Sequence, residues 1–184
     1  RWPIFLPMLN YAILIDGGFA KRRLGNSKNP ATAEDFAGLV ERVKSHTQLK
    51  DMRLHRVYYY DSVPLESSHE KPLQGGKIEF GASEVANRSR VLLDKLKVVP
   101  YMALRLGELT FNGWAVNHRK LAKSSCTKLE VTTKDLIPQI AQKGVDMRIG
   151  MDIAALTLKK QVQVVVLVSG DSDFVPAMKF ARRE

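Results

Sequence analysis

The chain is expected to fold as an α/β layered domain around a central, mainly parallel sheet, and three observations carry that expectation. Val164-Val165-Val166-Leu167-Val168 is an unbroken β-branched run, the pattern of a strand buried on both faces by flanking helices. Tyr11-Ala12-Ile13-Leu14-Ile15 repeats it near the other end of the chain. Between the two, extended and helical patterns alternate, which calls for right-handed crossovers in a layered sheet. Both runs break into acids, Asp16-Gly17-Gly18 and Ser169-Gly170-Asp171-Ser172-Asp173. Ligands of open parallel sheets bind beyond the carboxyl ends of the strands, so the two aspartate-tipped strands point to one shared site.

With 184 residues, 45% hydrophobic and 26% charged, the chain is expected to form one domain, residues 8–184. Residues 1–7 read as a leader or upstream extension, with Met8 a candidate start; the apolar opening has no small-residue cleavage site. Twenty-nine Lys and Arg against 19 Asp and Glu leave a net charge of +10, which favours a polyanionic partner such as nucleic acid. The single cysteine, Cys126, excludes an internal disulfide and a thiolate-rich zinc site, and fits a cytoplasmic setting. No apolar run is long enough to span a bilayer, so no membrane role is expected.

After the first strand, Phe19 to Leu24 reads as a helical turn carrying Lys21, Arg22 and Arg23. These bases lie close to Asp16 and are candidate phosphate contacts, with a solvated charge run as the competing reading. Thr32 and Asp35 resemble an N-cap and its third-position partner, and Phe36, Leu39, Val40 and Val43 follow with helical spacing. Leu54 to Tyr60 predicts a second strand ending at Asp61. Its three tyrosines suit either core packing or base stacking, and Asp61 suits a turn better than the acidic site.

Ser67 to Gly81 reads as a mobile polar connection. A helix carrying Val85, Leu92, Leu93 and Leu96 follows, then a strand from Val98 to Leu106. Gly107 and Asn112-Gly113 are turn signals around Glu108 to Phe111, so a small extra strand or hairpin is expected there. Asn117 to Lys128 is a loop with Arg119, Lys120, Lys123 and Lys128, read as a basic flap or as a surface insertion.

Gly144 precedes a helix over roughly Val145 to Lys159 with Val145, Ile149, Ile153 and Leu156 as its apolar stripe. Asp152 falls inside that stripe, where an unpaired carboxylate would be desolvated, so it ranks above Asp146 as a functional residue. Asp146 has a simpler reading as a first-turn acid facing the helix dipole. Asp173 doubles as the expected N-cap of a terminal helix from Phe174, with Pro176 tolerated in its first turn.

The candidate constellation is therefore Asp16, Asp152, Asp171 and Asp173, with Asp146 at its edge. Gathered carboxylates need a cation, and hard oxygen ligands select Mg²⁺ or Mn²⁺. A basic surface around such a pocket suits phosphodiester cleavage. The chain has no P-loop and no dinucleotide-binding glycine fingerprint, and His46, His55, His69 and His118 show no ligand spacing.

Ile15-Asp16-Gly17-Gly18-Phe19, Lys143 to Asp152 and Val168 to Pro176 together resemble the NYN domain, and more narrowly its bacterial LabA-like branch, related to PIN-domain ribonucleases. The resemblance spans roughly Met8 to Glu184. It implies a three-layer PIN-like domain with a small hairpin and basic-loop insertion, and a metal-dependent endoribonuclease. Asp16, Asp152, Asp171 and Asp173 would be its catalytic, metal-binding acids, Asp146 a further metal acid, and Lys21, Arg22, Arg23, Arg119, Lys120 and Lys123 its RNA contacts. Two departures stand out. Phe19 occupies a position where many members carry Asn, and the chain stops after Pro176 before the fold's last strand, as in a domain truncated at its C-terminus. An unfinished sheet edge would favour a homodimer. A non-catalytic RNA-binding module on the same fold is the alternative; a phosphatase with an aspartate nucleophile lacks the second acid two residues beyond Asp16.

Overall fold

The computed structural model describes residues 8–118 and 129–184. The expected leader, and Arg119, Lys120, Lys123 and Lys128 of the basic flap, lie outside the described residues. The chain divides into two compact units, one of Arg1–Asp61, Leu92–Gly107 and Gly144–Glu184, the other of Ser62–Val91 and Glu108–Lys143.

The first unit is built on β1 (Asn10–Asp16), which pairs in parallel with β2 (Arg53–Ser62) on one side and with β7 (Val164–Val168) on the other. The start of β5 (Met102–Val116) continues the order as β5-β2-β1-β7. Asp16 stands opposite Tyr60, and Ile15 opposite Val168, so the acidic tips of β1 and β7 end side by side.

Side-chain alternation along β1 sorts the core into two clusters. Tyr11, Ile13 and Ile15 pack with Val57 and Tyr59 of β2, with Phe36 and Val40 of α2 (Ala33–Lys44), and with Leu92, Leu93 and Leu96 from the end of α3 (Glu84–Leu96). Ala12 and Leu14 pack with Tyr58 and Tyr60, and with Val145, Ile149, Ile153 and Leu156 of α4 (Val145–Leu158). Ala177, Met178 and Ala181 of α5 (Val175–Arg183) lie against this second cluster. A continuous apolar strand in β1 is what two covered faces demand. The three tyrosines of β2 are buried, so they serve the core.

The helix starts follow local chemistry. Thr32 and Asp35 form the expected capping box of α2, each side chain bonded to the other's backbone N–H. α1 (Gly17–Leu24) begins directly after β1, with Asp16 as its N-cap. α4 starts from Gly144 at φ +79°, a left-handed conformation that favours glycine. At the C-terminal end the expected cap moves by two residues. Asp171, rather than Asp173, accepts the backbone N–H of Asp173 and caps a 3₁₀ turn over Ser172–Phe174, and α5 follows with Pro176 in its first turn.

The second unit departs most from expectation. The Ser67 to Gly81 connection carries a short hairpin, β3 (Ser68–Glu70) against β4 (Lys77–Glu79). Gly107 and Asn112-Gly113 do not end a strand: β5 runs unbroken through them and absorbs Gly113, at φ +102°, in a register shift between Phe111 and Trp114. Its later half pairs antiparallel with β6 (Leu136–Lys143), a strand that Pro138 disguises. His69, Phe80, Phe111 and Trp114 pack ring on ring as this unit's small core, with His69 and Phe111 stacked at 3.9 Å. The sheet as a whole is mixed and flanked by helices.

Candidate active site at the strand tips

Asp16 is fixed from two directions. Its Oδ1 accepts the Phe19 N–H at 3.0 Å, which ties it to the first turn of α1. Its Oδ2 accepts the Ser169 hydroxyl at 2.9 Å, which ties β1 to the loop after β7. The Asp171 N–H in turn donates to Ser169 Oγ at 3.1 Å. Gly17 makes the turn possible: a Cβ there would stand 2.5 Å from the Tyr60 carbonyl oxygen and 2.7 Å from the Tyr59 ring. Gly170 is equally constrained, because a Cβ on it would meet the Phe19 ring at 2.5 Å. Phe19 thus packs over the second acidic loop, a packing reason for an aromatic at that position.

Asp146, in the first turn of α4, joins this group electrostatically. Partial burial, followed by the charges of Asp171, Asp16 and Asp173, raises its carboxyl above the usual aspartate range. The like charges it senses are those at the tips of both strands. The helix-dipole reading of Asp146 is overridden, since a dipole acting alone would lower the value.

Asp152 has a different environment. It lies six residues further along α4, about 240° around the helix axis from Asp146, so the two cannot face the same way. Its Oδ2 accepts the Tyr60 hydroxyl at 2.8 Å and Arg105 Nε at 3.0 Å, with the Asp152 side chain 23% exposed. The apolar stripe called for a partner to this carboxylate, and the partner is an arginine on β5. Burial, then the neighbouring Asp152 charge, pushes the Tyr60 phenol well up.

Of the expected RNA contacts, Lys21 is engaged elsewhere. Its Nζ donates to Asp61 Oδ2 at 2.6 Å, and the Tyr59 hydroxyl donates to the same oxygen at 2.8 Å. Asp61 is buried, not a turn acid, and burial followed by its charge pushes the Tyr59 phenol up. Sequence reading missed this pair because the lysine sits 40 residues away. Arg22 and Arg23 remain on the exposed side of α1, with the Arg23 guanidinium over the Phe19 ring at 5.6 Å.

A family model for the NYN domain matches residues 92–184, just over half of the 184-residue chain. The chain belongs to the NYN domain family. NYN domains belong to the PIN-like nuclease superfamily and are in general ribonucleases. Comparison with curated proteins and with solved structures found no match. The matched stretch holds Asp146, Asp152, Asp171 and Asp173, and Ser169 links Asp16 to the loop that carries Asp171. Asp16, Asp146, Asp171 and Asp173 offer carboxylate oxygens, the hard ligands that Mg²⁺ and Mn²⁺ take. Among the described residues, no three acidic, histidine or cysteine side chains are drawn together closely enough to hold a metal ion as they stand. The donor chemistry fits a divalent cation, and the mutual repulsion felt at Asp146 is what such a cation relieves.

Proposed function

We propose that this NYN domain is a Mg²⁺- or Mn²⁺-dependent endoribonuclease of the LabA-like bacterial branch, on a three-layer PIN-like fold, acting in the cytoplasm. What supports the reading is that β1 and β7 end side by side in acids, with Ser169 bonded both to Asp16 and to the Asp171 N–H, and that Asp146 senses the charges of Asp171, Asp16 and Asp173. Those four acids would hold the ion. Once bound, a divalent cation supplies an activated water and stabilises the leaving oxygen in phosphodiester cleavage.

The remaining work belongs to the chain itself. Ser169 and the Phe19 N–H hold Asp16 in one orientation, a fixed point on which the other acids would close when the ion loads. Arg22 and Arg23 place positive charge beside the acids and suit RNA phosphates, a role that Arg119, Lys120 and Lys123 would extend. Lys21 serves by neutralising Asp61, keeping a fifth carboxylate out of the cluster. Self-association through the open edge of β7, at one end of the strand order, belongs to the same reading.

The second reading, an RNA-binding module without catalysis, draws support from the finding that, among the described residues, no three acids stand close enough to hold a metal ion. An end-labelled RNA with single- and double-stranded parts, incubated with Mn²⁺, Mg²⁺ or EDTA, separates the two. Internal cuts that need the metal and vanish in Asp171→Asn support the nuclease. Retained RNA binding with no cuts under any metal supports the module.

A further inference from the structure

Arg105, on the α4 side of the sheet, is a cation whose orientation is fixed from two directions. Ala103, two residues before it on β5, packs with the second cluster, so Arg105 projects on the same face as Tyr58, Tyr60 and Asp16. Its Nε is held by Asp152 Oδ2 at 3.0 Å, and its guanidinium carbon lies 5.1 Å from the centre of the Tyr58 ring. Tyr58 is itself stacked with Tyr60, whose hydroxyl bonds the same Asp152 oxygen. The side chain is nonetheless 43% exposed. A guanidinium tethered through Nε leaves the edge with its two terminal nitrogens, the fork that matches two phosphate oxygens.

We propose that Arg105 is a preformed phosphate-binding residue that seats the RNA backbone beside the acidic site, and that Asp152 and Tyr58 are its positioning residues. The inference rests on the nuclease reading for the identity of the ligand. Tyr60 carries the proximity: its backbone pairs in register with Asp16, while its side chain reaches Asp152. Adjacent strands lie about 4.8 Å apart, so the fork and the acids are within one or two nucleotides of each other. An arginine stacked on an aromatic ring and anchored by a carboxylate loses little side-chain freedom on binding, and that is the economy of a preorganised contact. A purely structural Arg105–Asp152 pair would hold α4 to the sheet and be indifferent to RNA.

The test is RNA affinity in EDTA, where no cleavage occurs, using a short fluorescein-labelled oligouridine and anisotropy across a series of NaCl concentrations. Arg105→Ala is expected to weaken binding about 10-fold and to flatten the salt dependence by about 0.7 in log–log slope, one phosphate contact on a single strand. Arg105→Lys keeps a cation beside Asp152 and guards against misfolding. It should keep most of the slope yet bind about 3- to 5-fold more weakly, because an ammonium lacks the fork. Asp152→Asn, which retains a hydrogen-bond acceptor for Tyr60, should fall between the two. Wild-type binding with an Arg105→Lys variant of unchanged affinity overturns the proposal and leaves the nuclease reading standing. Wild type without RNA affinity overturns both. An Arg105→Ala variant that binds RNA normally but no longer binds pyrophosphate by calorimetry assigns the fork to a small phosphate and overturns the RNA assignment.

Discussion

Replacing Asp146 by Asn should make the metal-free protein more stable, although the substitution removes an acid from the first turn of a helix. Two effects oppose at this position. The N-terminus of α4 favours a carboxylate by about 0.3–1 kcal/mol. Partial burial and the charges of Asp171, Asp16 and Asp173 disfavour it, and the raised carboxyl shows that they prevail. Interactions between solvent-screened surface charges are worth about 0.2–1 kcal/mol, so the Asn variant is expected to gain a few tenths of a kcal/mol. The sign with pH follows from the direction of the shift. A folded-state value above the ordinary 3.8 means that the native state holds the proton more tightly than the unfolded chain. Wild type therefore suffers no penalty while Asp146 is protonated in both states, loses stability as pH rises from the ordinary value through the raised one, and carries the full penalty above it. Urea unfolding in EDTA, followed by circular dichroism, should show Asp146→Asn ahead of wild type at pH 7, with the difference shrinking below the ordinary value. Mn²⁺ should reverse the order, because the native wild type gains a ligand for its cation. An Asn variant less stable than wild type at pH 7 in EDTA would refute the reasoning, for the helix dipole would then outweigh the cluster.

Three further substitutions test the frame around the site. Gly17→Ala places a methyl group 2.5 Å from the Tyr60 carbonyl oxygen and should cost about 1–3 kcal/mol; an unchanged urea midpoint would show that α1 shifts freely. Lys21→Met removes a cation from a carboxylate whose side chain is 7% exposed. The lysine itself is about a third open, so the expected loss at pH 7 is about 1–3 kcal/mol, below that of a fully buried pair; adding Asp61→Asn should recover part of it, and no recovery would rule out the ion pair as the cause. Phe36→Ala empties a fully buried position edge-on to the Tyr59 ring at 5.0 Å and should lower stability by about 3–5 kcal/mol, read as a drop in melting temperature.

Much of the first unit was legible because its signals are local. Doubly buried strands announce themselves as β-branched runs, and the Thr32–Asp35 box and the Gly144 start mark helix ends within a few residues. The second unit was less so. Three-residue strands are too short to show alternation, and Pro138 hides β6. Gly107 and Asn112-Gly113 carry turn chemistry that a long partner strand converts into a bulge. At the site, sequence identified the acids but not their allegiances. The helical wheel of α4 put Asp152 within the apolar stripe, where it is half-buried, but only the fold could bring Arg105 to it from 47 residues away. For Asp146 the first-turn position is visible in sequence, and the charges of Asp171, Asp16 and Asp173 that it senses are not.

The contact between Phe19 and Gly170 links the evolutionary fates of two positions far apart in the chain. Glycine at 170 leaves room for the ring, and the ring leaves no room for anything larger than glycine. A lineage that exchanged Phe19 for a small polar residue would be released to place a side chain at 170, whereas any lineage keeping the aromatic is bound to the hydrogen. Substitutions at the two sites are therefore expected to arrive in pairs, and the order of arrival is constrained: position 19 must shrink before position 170 can grow.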